Sequence, residues 1–452
     1  MKSRRYHAAV LFPLLGIASV ACVGPSQPLP SLAGSPRPTI APLSSVRPSS
    51  SPAAAPIAST TLAPSARPVP TPLPTSSLGP PASPASTWSA DGLNWTELTD
   101  LAVPETRSDH AQPVAASQGA GGYVAVGSAL DQDVAAEFRW NGSVWLSEDG
   151  LSWRIHEKGE SFDAVLFAST SALGGVLVGG PVSICPIHCD SSATTEAGSA
   201  VWITSDRLDW RPSVSGLEEG AVFVLAGNER LAVAAGLAAA ERPADEAPAP
   251  GSSTTVGAIW ASTDGSVWTR ATGVPPTDAV RQVVESRGNL VALAGPAESY
   301  VYRSLLWSAD GLRWTEAFGA WGITAIGASP DGFLVAGTDP DDSSPFVLLS
   351  REGREWELIP LVTHATLDLS RIIWIGDRYL ALGTGRRTGE TQALPIALTS
   401  VDGREWVEVV LPPAIAQSRL SEFASSLADG AILFGGYADE GWQPWLVQPE
   451  RP

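Results

Sequence analysis

Apolar residues along this chain come in short runs rather than in helical stripes. The clearest runs each end in glycine: residues 123–127, 176–179, 231–236, 290–295, 333–337, 379–383 and 432–435. Short apolar runs bounded by turn signals suit β-strands. A turn precedes most of them, such as Gly121-Gly122, Pro330-Asp331-Gly332, Gly376-Asp377 or Asp429-Gly430. Before each turn lies another apolar segment, as at 222–226, 283–284, 323–328 and 372–375. No stretch has the spacing of a long amphipathic helix.

A second repeat runs in phase with the first. The pattern Ser/Thr-x-Asp-Gly-x-x-Trp occurs seven times, starting at Ser89, Ser147, Thr204, Ser262, Ser308, Ser350 and Ser400. Every copy keeps the hydroxyl residue and the tryptophan, while Glu352 replaces Asp in one copy and Arg207 replaces Gly in another. Asp-Gly supports a tight hairpin, because glycine adopts positive φ and the carboxylate accepts backbone N–H groups within the turn. The indole offers a large apolar face for packing. Each unit then has four strands, A to D: A and B flank the glycine-rich turn, C enters the Asp-Gly turn and D leaves it. Successive Asp or Glu positions of the motif lie 58, 57, 58, 46, 42 and 50 residues apart. Four strands in that span make one propeller blade.

The ends of the chain imply closure. The motif hairpin at 87–98 has no A or B strand before it, and the chain finishes with A (423–427), B (432–435) and a C strand (445–447) with no motif after. Those last strands and the first D strand complete one blade. The expected fold is therefore all-β, a seven-bladed propeller over 87–452, closed by pairing of its terminal strands. Closure removes the open sheet edges that a linear pair of β domains would leave.

Composition divides the rest of the chain. Residues 23–86 are rich in Pro, Ser, Ala and Thr, and burial there cannot offset chain entropy, so they read as a disordered stalk. Residues 1–22 read as an export signal: Lys2, Arg4 and Arg5 precede the apolar stretch 8–20, which is too short to span a membrane in the usual way. The segment Ala18-Ser19-Val20-Ala21-Cys22 resembles a bacterial lipobox, which implies lipidation at Cys22 and anchoring to the outer face of the cell membrane or envelope. The chain carries 47 acids and 28 bases, and six of those bases fall within residues 1–86, which have no acid. The remainder thus carries 22 bases and a formal charge of −25. Such a field favours solubility and a monomer and disfavours nucleic acid, leaving the lipid anchor as the only membrane contact. The two other cysteines, Cys185 and Cys189, read as a disulfide in an exported protein. A metal site using both thiolates and His188 lacks a fourth ligand, so no metal and no cofactor are expected.

The repeated motif resembles the Asp box of the bacterial neuraminidase repeat, found in sialidases, other glycoside hydrolases and several non-enzymatic propellers. The usual Asp box has one more residue between Asp and Trp. The resemblance implies that Asp91, Asp149, Asp206, Asp264, Asp310, Glu352 and Asp402 are structural, together with Trp95, Trp153, Trp210, Trp268, Trp314, Trp356 and Trp406. Seven acids in seven equivalent places cannot all serve one active site.

A ligand site is expected on the other face, where the D–A and B–C connections include the irregular loops 128–139, 180–200, 237–256 and 384–395. Arg281, Arg371 and Arg419 lie near A-strand entries, where sialidases clamp a carboxylate with three arginines. Asp109 and His110 lie in an earlier D–A loop. No spacing identifies the pair of carboxyl groups that a glycosidase needs, and the Phe/Tyr-Arg-Ile-Pro segment of sialidases is absent. The expected function is therefore non-catalytic recognition of an extracellular glycan or protein. A sialidase-type hydrolase is the first alternative. An assembly factor for a membrane complex is the second, from resemblance to the seven-bladed Asp-box propellers that assist photosystem II assembly.

Overall fold

The chain divides into two units, Met1–Pro81 and Ala82–Pro452. The computed structural model describes residues 86–450, apart from 102–111, 132–138, 157–161, 163–165, 183–197, 240–254, 297–301, 387–392, 417–423, 435–443 and the shorter segments 219, 276–277, 340 and 362–365. Cys22, Cys185, Cys189, Asp109, His110, Arg419, the signal and the stalk up to residue 85 lie outside the described residues.

The second unit is a seven-bladed propeller of four-stranded antiparallel blades. Blade 1 is formed by Gln112–Gly119, Gly122–Asp131, Arg139–Ser147 and Arg154–Ile155. Blades 2 and 3 begin at Ala168–Ala172 and Gly220–Gly227 and end at Arg211–Pro212 and Thr269–Arg270. Blade 6 runs from Thr366–Trp374 to Val407–Val409. Blades 4 and 5 share one sheet, because Thr315–Ser329 pairs first with Tyr302–Ser308 as strand D and then with Gly332–Thr338 as strand A. The D–A link between them is so short that the chain stays extended through it. The innermost A strands touch in order around the ring, and the A strand of blade 7 touches that of blade 1.

Blade 7 joins the two ends of the unit. Its A, B and C strands are Ala424–Leu427, Gly430–Phe434 and Pro444–Pro449, and its D strand is Leu93–Glu97. Trp95 pairs with Val447 and Glu97 with Trp445, which is the expected closure. The strand before the first motif has a different place from that in its six sisters. Thr87–Ala90 is a fifth, outermost strand, because the C position is already filled from the C-terminal end.

Core packing explains the alternation that the sequence hides. Among the described residues, seven apolar clusters fill the seven seams between neighbouring blades. Successive residues of a B strand enter opposite seams: Tyr379 and Ala381 pack against blade 5, Leu380 and Leu382 against blade 7. Both faces are buried, so the strand reads as a continuous apolar run. Each motif tryptophan enters the seam with the preceding blade, from Trp95 between blades 6 and 7 to Trp406 between blades 5 and 6.

The glycine that ends the B runs has a steric cause. In five blades the A strand carries a β-bulge, at Val114, Phe223, Arg281, Thr324 and Ser370. In blades 3 and 6 the backbone beside the bulge presses on the B strand, so that a Cβ at Gly236 or Gly383 would overlap the carbonyl oxygen of Ala221 or Asp368.

Candidate functional site

The motif turns use their own chemistry internally. In blade 1 the Ser147 hydroxyl donates to Asp149 Oδ1 at 3.0 Å and accepts the Gly150 N–H at 2.8 Å. Asp149 Oδ1 also accepts the N–H groups of Leu151 and Ser152, each at 2.8 Å. The carboxylate bonds recur at Asp206, Asp264, Asp310 and Asp402. The turn glycine holds φ between 71° and 80° in all six motif turns that have one. Trp153, Trp314 and Trp406 close them, each donating Nε1–H to the carbonyl of the motif glycine at 2.9–3.0 Å.

Those bonds hold the carboxyls ionised. At Asp264 and Asp402 the turn amides push the pKa below its ordinary value. At Asp149, Asp206 and Asp310 desolvation is the largest effect and raises the pKa, but the combined amide and hydroxyl bonds outweigh it.

Three copies depart from this pattern. Asp91 and Gly92 both have positive φ (54° and 75°), and Asp91 Oδ2 accepts the Val410 N–H of blade 6 at 2.9 Å. This turn is a two-residue hairpin that clips the closing blade to its neighbour. Arg207 holds φ at 67° in the place of glycine and sends its guanidinium back to blade 1, where Nη1 donates to the Ser147 carbonyl at 2.9 Å. Glu352 keeps the Ser350 bond to the Gly353 N–H at 2.8 Å. Among the described residues, however, its carboxylate accepts neither the Arg354 nor the Glu355 amide.

On this turn face a cleft of about 640 Å³ opens along the seam of blades 5 and 6. It is floored by Phe333 and Tyr379 and spanned by the Arg404–Glu357 ion pair, with N···O distances of 2.5 and 2.8 Å. The remaining lining charges are of both signs. No group of three or more His, Cys, Asp or Glu suited to a metal occurs among the described residues.

The opposite mouth of the ring is where the blades differ. The belt of bulges lies one or two residues beyond the A-strand position facing the B-strand glycine. Val114, Phe223, Arg281, Thr324 and Ser370 are all part-exposed, although most of their strand neighbours are buried. Val114 and Phe223 belong to none of the seven cores, nor does Phe167, which enters the A strand of blade 2 at this level. The Phe167 and Phe223 rings meet edge to face, with centroids 6.2 Å apart. At this level the part-exposed residues form an apolar arc in blades 1 to 3 (Val114, Phe167 and Phe223) and a polar arc in blades 4 to 6 (Arg281, Thr324 and Ser370), and the Phe223 ring lies over Gly236 of its own B strand.

Arg281 and Arg371 stand on the polar arc, two blades apart and within one residue of the same level, and each already has an interaction partner. Asp368 lies slightly nearer the mouth. Its carboxylate is reached by solvent yet crowded by protein, and that desolvation raises its pKa. It has no hydrogen-bond or ion-pair partner among the described residues. Sequence reasoning placed the arginines near the A strands but missed Phe167 and Phe223, because phenylalanine within an apolar run reads as core.

No protein-family model and no curated protein sequence matches this chain. Among solved structures, the acylaminoacyl peptidase of Pyrococcus horikoshii is similar with a TM-score of 0.50 and 10% identity, covering 77% of this chain and 54% of that one. The chain thus spans about half the length of that peptidase. A Trypanosoma rangeli sialidase is similar with a TM-score of 0.38 and 14% identity over 80% of this chain and 59% of its own. Porphyromonas gingivalis dipeptidyl peptidase 4 gives 0.42 and 7% over 74% and 50%. At these identities the likeness concerns the propeller fold alone.

Proposed function

We propose that this chain is a non-catalytic binding propeller, displayed on the outside of the cell by a lipid on Cys22, which recognises a glycan or protein partner through its D–A/B–C face. The observation that carries this reading is the contrast between the two ends of the ring. In five of the seven motif turns the carboxylate is satisfied within the turn by the same pair of amides, in keeping with a resemblance to Asp boxes. At the bulge belt the same backbone feature presents valine, phenylalanine, arginine, threonine and serine in different blades. A fixed scaffold with varied side chains at one mouth suits recognition. Catalysis would need a positioned pair of acid and base groups. Among the described A-strand residues of this mouth, Asp368 is the carboxyl group whose environment suits such work.

The full chain is expected to show saturable binding to a member of a combined glycan and peptide array, with affinity altered by Arg371→Ala. A sialidase-type hydrolase is the second reading, favoured by Arg281 and Arg371 standing at nearly one level on the polar arc. Turnover of a fluorogenic sialoside that disappears in Arg371→Ala would replace the binding proposal with that one.

A further inference from the structure

On the motif face, neighbouring blades are stitched to one another by backbone donors. Between blades 2 and 3 the Val214 N–H donates to the Ser266 carbonyl at 2.8 Å, and the Trp268 N–H donates to the Ser215 carbonyl at 3.0 Å. Between blades 3 and 4 one residue serves both ways. The Thr272 N–H donates to the Leu312 carbonyl at 2.8 Å, and the Thr272 carbonyl accepts the Trp314 N–H at 2.9 Å. Between blades 6 and 7 the Val410 N–H donates to Asp91 Oδ2 at 2.9 Å. Val214, Thr272 and Val410 each stand four residues after the tryptophan of their own blade's motif.

In blade 5 that place is held by Pro360, which has no N–H to give. Among the described residues, no backbone bond joins the blade 6 motif turn to blade 5. Arg404 and Glu357 join them instead, with N···O distances of 2.8 and 2.5 Å. Their side chains are 49% and 56% exposed, so salt screens the pair, whereas a backbone stitch carries no net charge to screen. Both residues line the cleft of this seam, above Phe333 and Tyr379. Deeper in the same seam Leu334, Val347, Leu398 and Trp406 are buried together, which confines any parting to the motif layer.

We infer that the Arg404–Glu357 pair is a strap across the motif-face cleft, and that the blade 6 turn swings away from blade 5 when the pair parts. Parting widens the cleft over Phe333 and Tyr379, which the closed form keeps buried. The strap lies on the face opposite the proposed recognition mouth and does not depend on that proposal.

The test is hydrogen exchange read by mass spectrometry on the purified full chain at pH 7. Three motif turns are compared: 400–406 at the strapped seam, and 262–268 and 308–314 at the stitched ones. Raising the ionic strength from about 0.01 M to about 1 M shortens the screening length from about 30 Å to about 3 Å. That change should speed exchange in 400–406 by about two- to fivefold relative to the two stitched turns. Glu357→Gln, a conservative change at an exposed side chain, should give the fast rate at low salt and remove the salt response. Pro360→Ala restores an N–H at the stitching position and should slow exchange in 400–406 by about two- to tenfold. A wild-type low-salt rate in Glu357→Gln, or a salt response of equal size in all three turns, would overturn the inference. So would an unchanged rate in a folded Pro360→Ala variant. Should that variant fail to fold, as judged by its melting curve, Glu357→Gln and the salt response decide alone.

Discussion

Replacing Glu352 with aspartate should stabilise this protein, although no apolar surface changes. In five sister turns an aspartate oxygen accepts two backbone N–H groups at 2.8–3.1 Å. The fifth blade keeps the serine, the glycine and the tryptophan of that turn but carries a side chain one methylene longer, and the Arg354 and Glu355 amides go without the carboxylate. The gain expected from restoring it resembles that of an aspartate at a helix N-cap, about 1–2 kcal/mol, discounted from the larger value for buried charged bonds because the turn is exposed. In a domain of this size that corresponds to a rise of roughly 1–3 °C in Tm. Calorimetry of the full chain at pH 7 would measure it, with Asp402→Glu as the mirror experiment, expected to fall by a similar amount. A Tm unchanged or lowered by Glu352→Asp, together with a neutral Asp402→Glu, would refute the idea that the carboxylate clamps the turn.

Further expectations follow from the same geometry. Trp314 is 3% exposed in the seam of blades 3 and 4, so Trp314→Ala should cost about 3–5 kcal/mol while leaving ligand affinity of the folded fraction intact; an unchanged Tm would show that the indole is dispensable. Acid should loosen the turns: Asp264 and Asp402 have folded pKa values below the ordinary 3.8 because their carboxylates accept turn amides. Their contribution is present above the unfolded pKa and is lost as pH falls through the folded value, so Tm should drop below about pH 4. A pH-independent Tm from 5 to 2 would contradict this. Deleting residues 1–98 removes the D strand of blade 7 and should give an aggregating product by light scattering; a monodisperse, cooperatively melting product would show that closure is unnecessary.

Much of this architecture could be read from the chain. The motif spacing gives the blades, and the missing strands at each end give the Trp95–Val447 pairing. What could not be read depends on context beyond a few residues. Ser89-Ala90-Asp91-Gly92 looks like its sisters, yet it forms a different hairpin because its C position is filled by residues more than 350 positions away. The strand shared by blades 4 and 5 was hidden because both halves look like ordinary strands. The bulges were hidden as well: an apolar residue at a bulge that joins no seam cluster, such as Phe223, has the same neighbours in sequence as one that does. Tryptophan in every copy signalled packing, but only the three-dimensional ring shows that each indole serves the seam with the blade before it.

Joining head and tail in one sheet also sets a timetable for biogenesis. As the nascent polypeptide emerges, Leu93–Glu97 is made before every strand of blades 1 to 6, and its partner Pro444–Pro449 after all of them. Six blades can stack as they appear, while the first hairpin waits with an unsatisfied edge until the sixth is finished and residues 444–449 have followed. A ribosome stalled or a message truncated between the end of blade 6 at Val409 and residue 444 would leave a horseshoe with two sticky rims, which quality-control machinery would have to recognise.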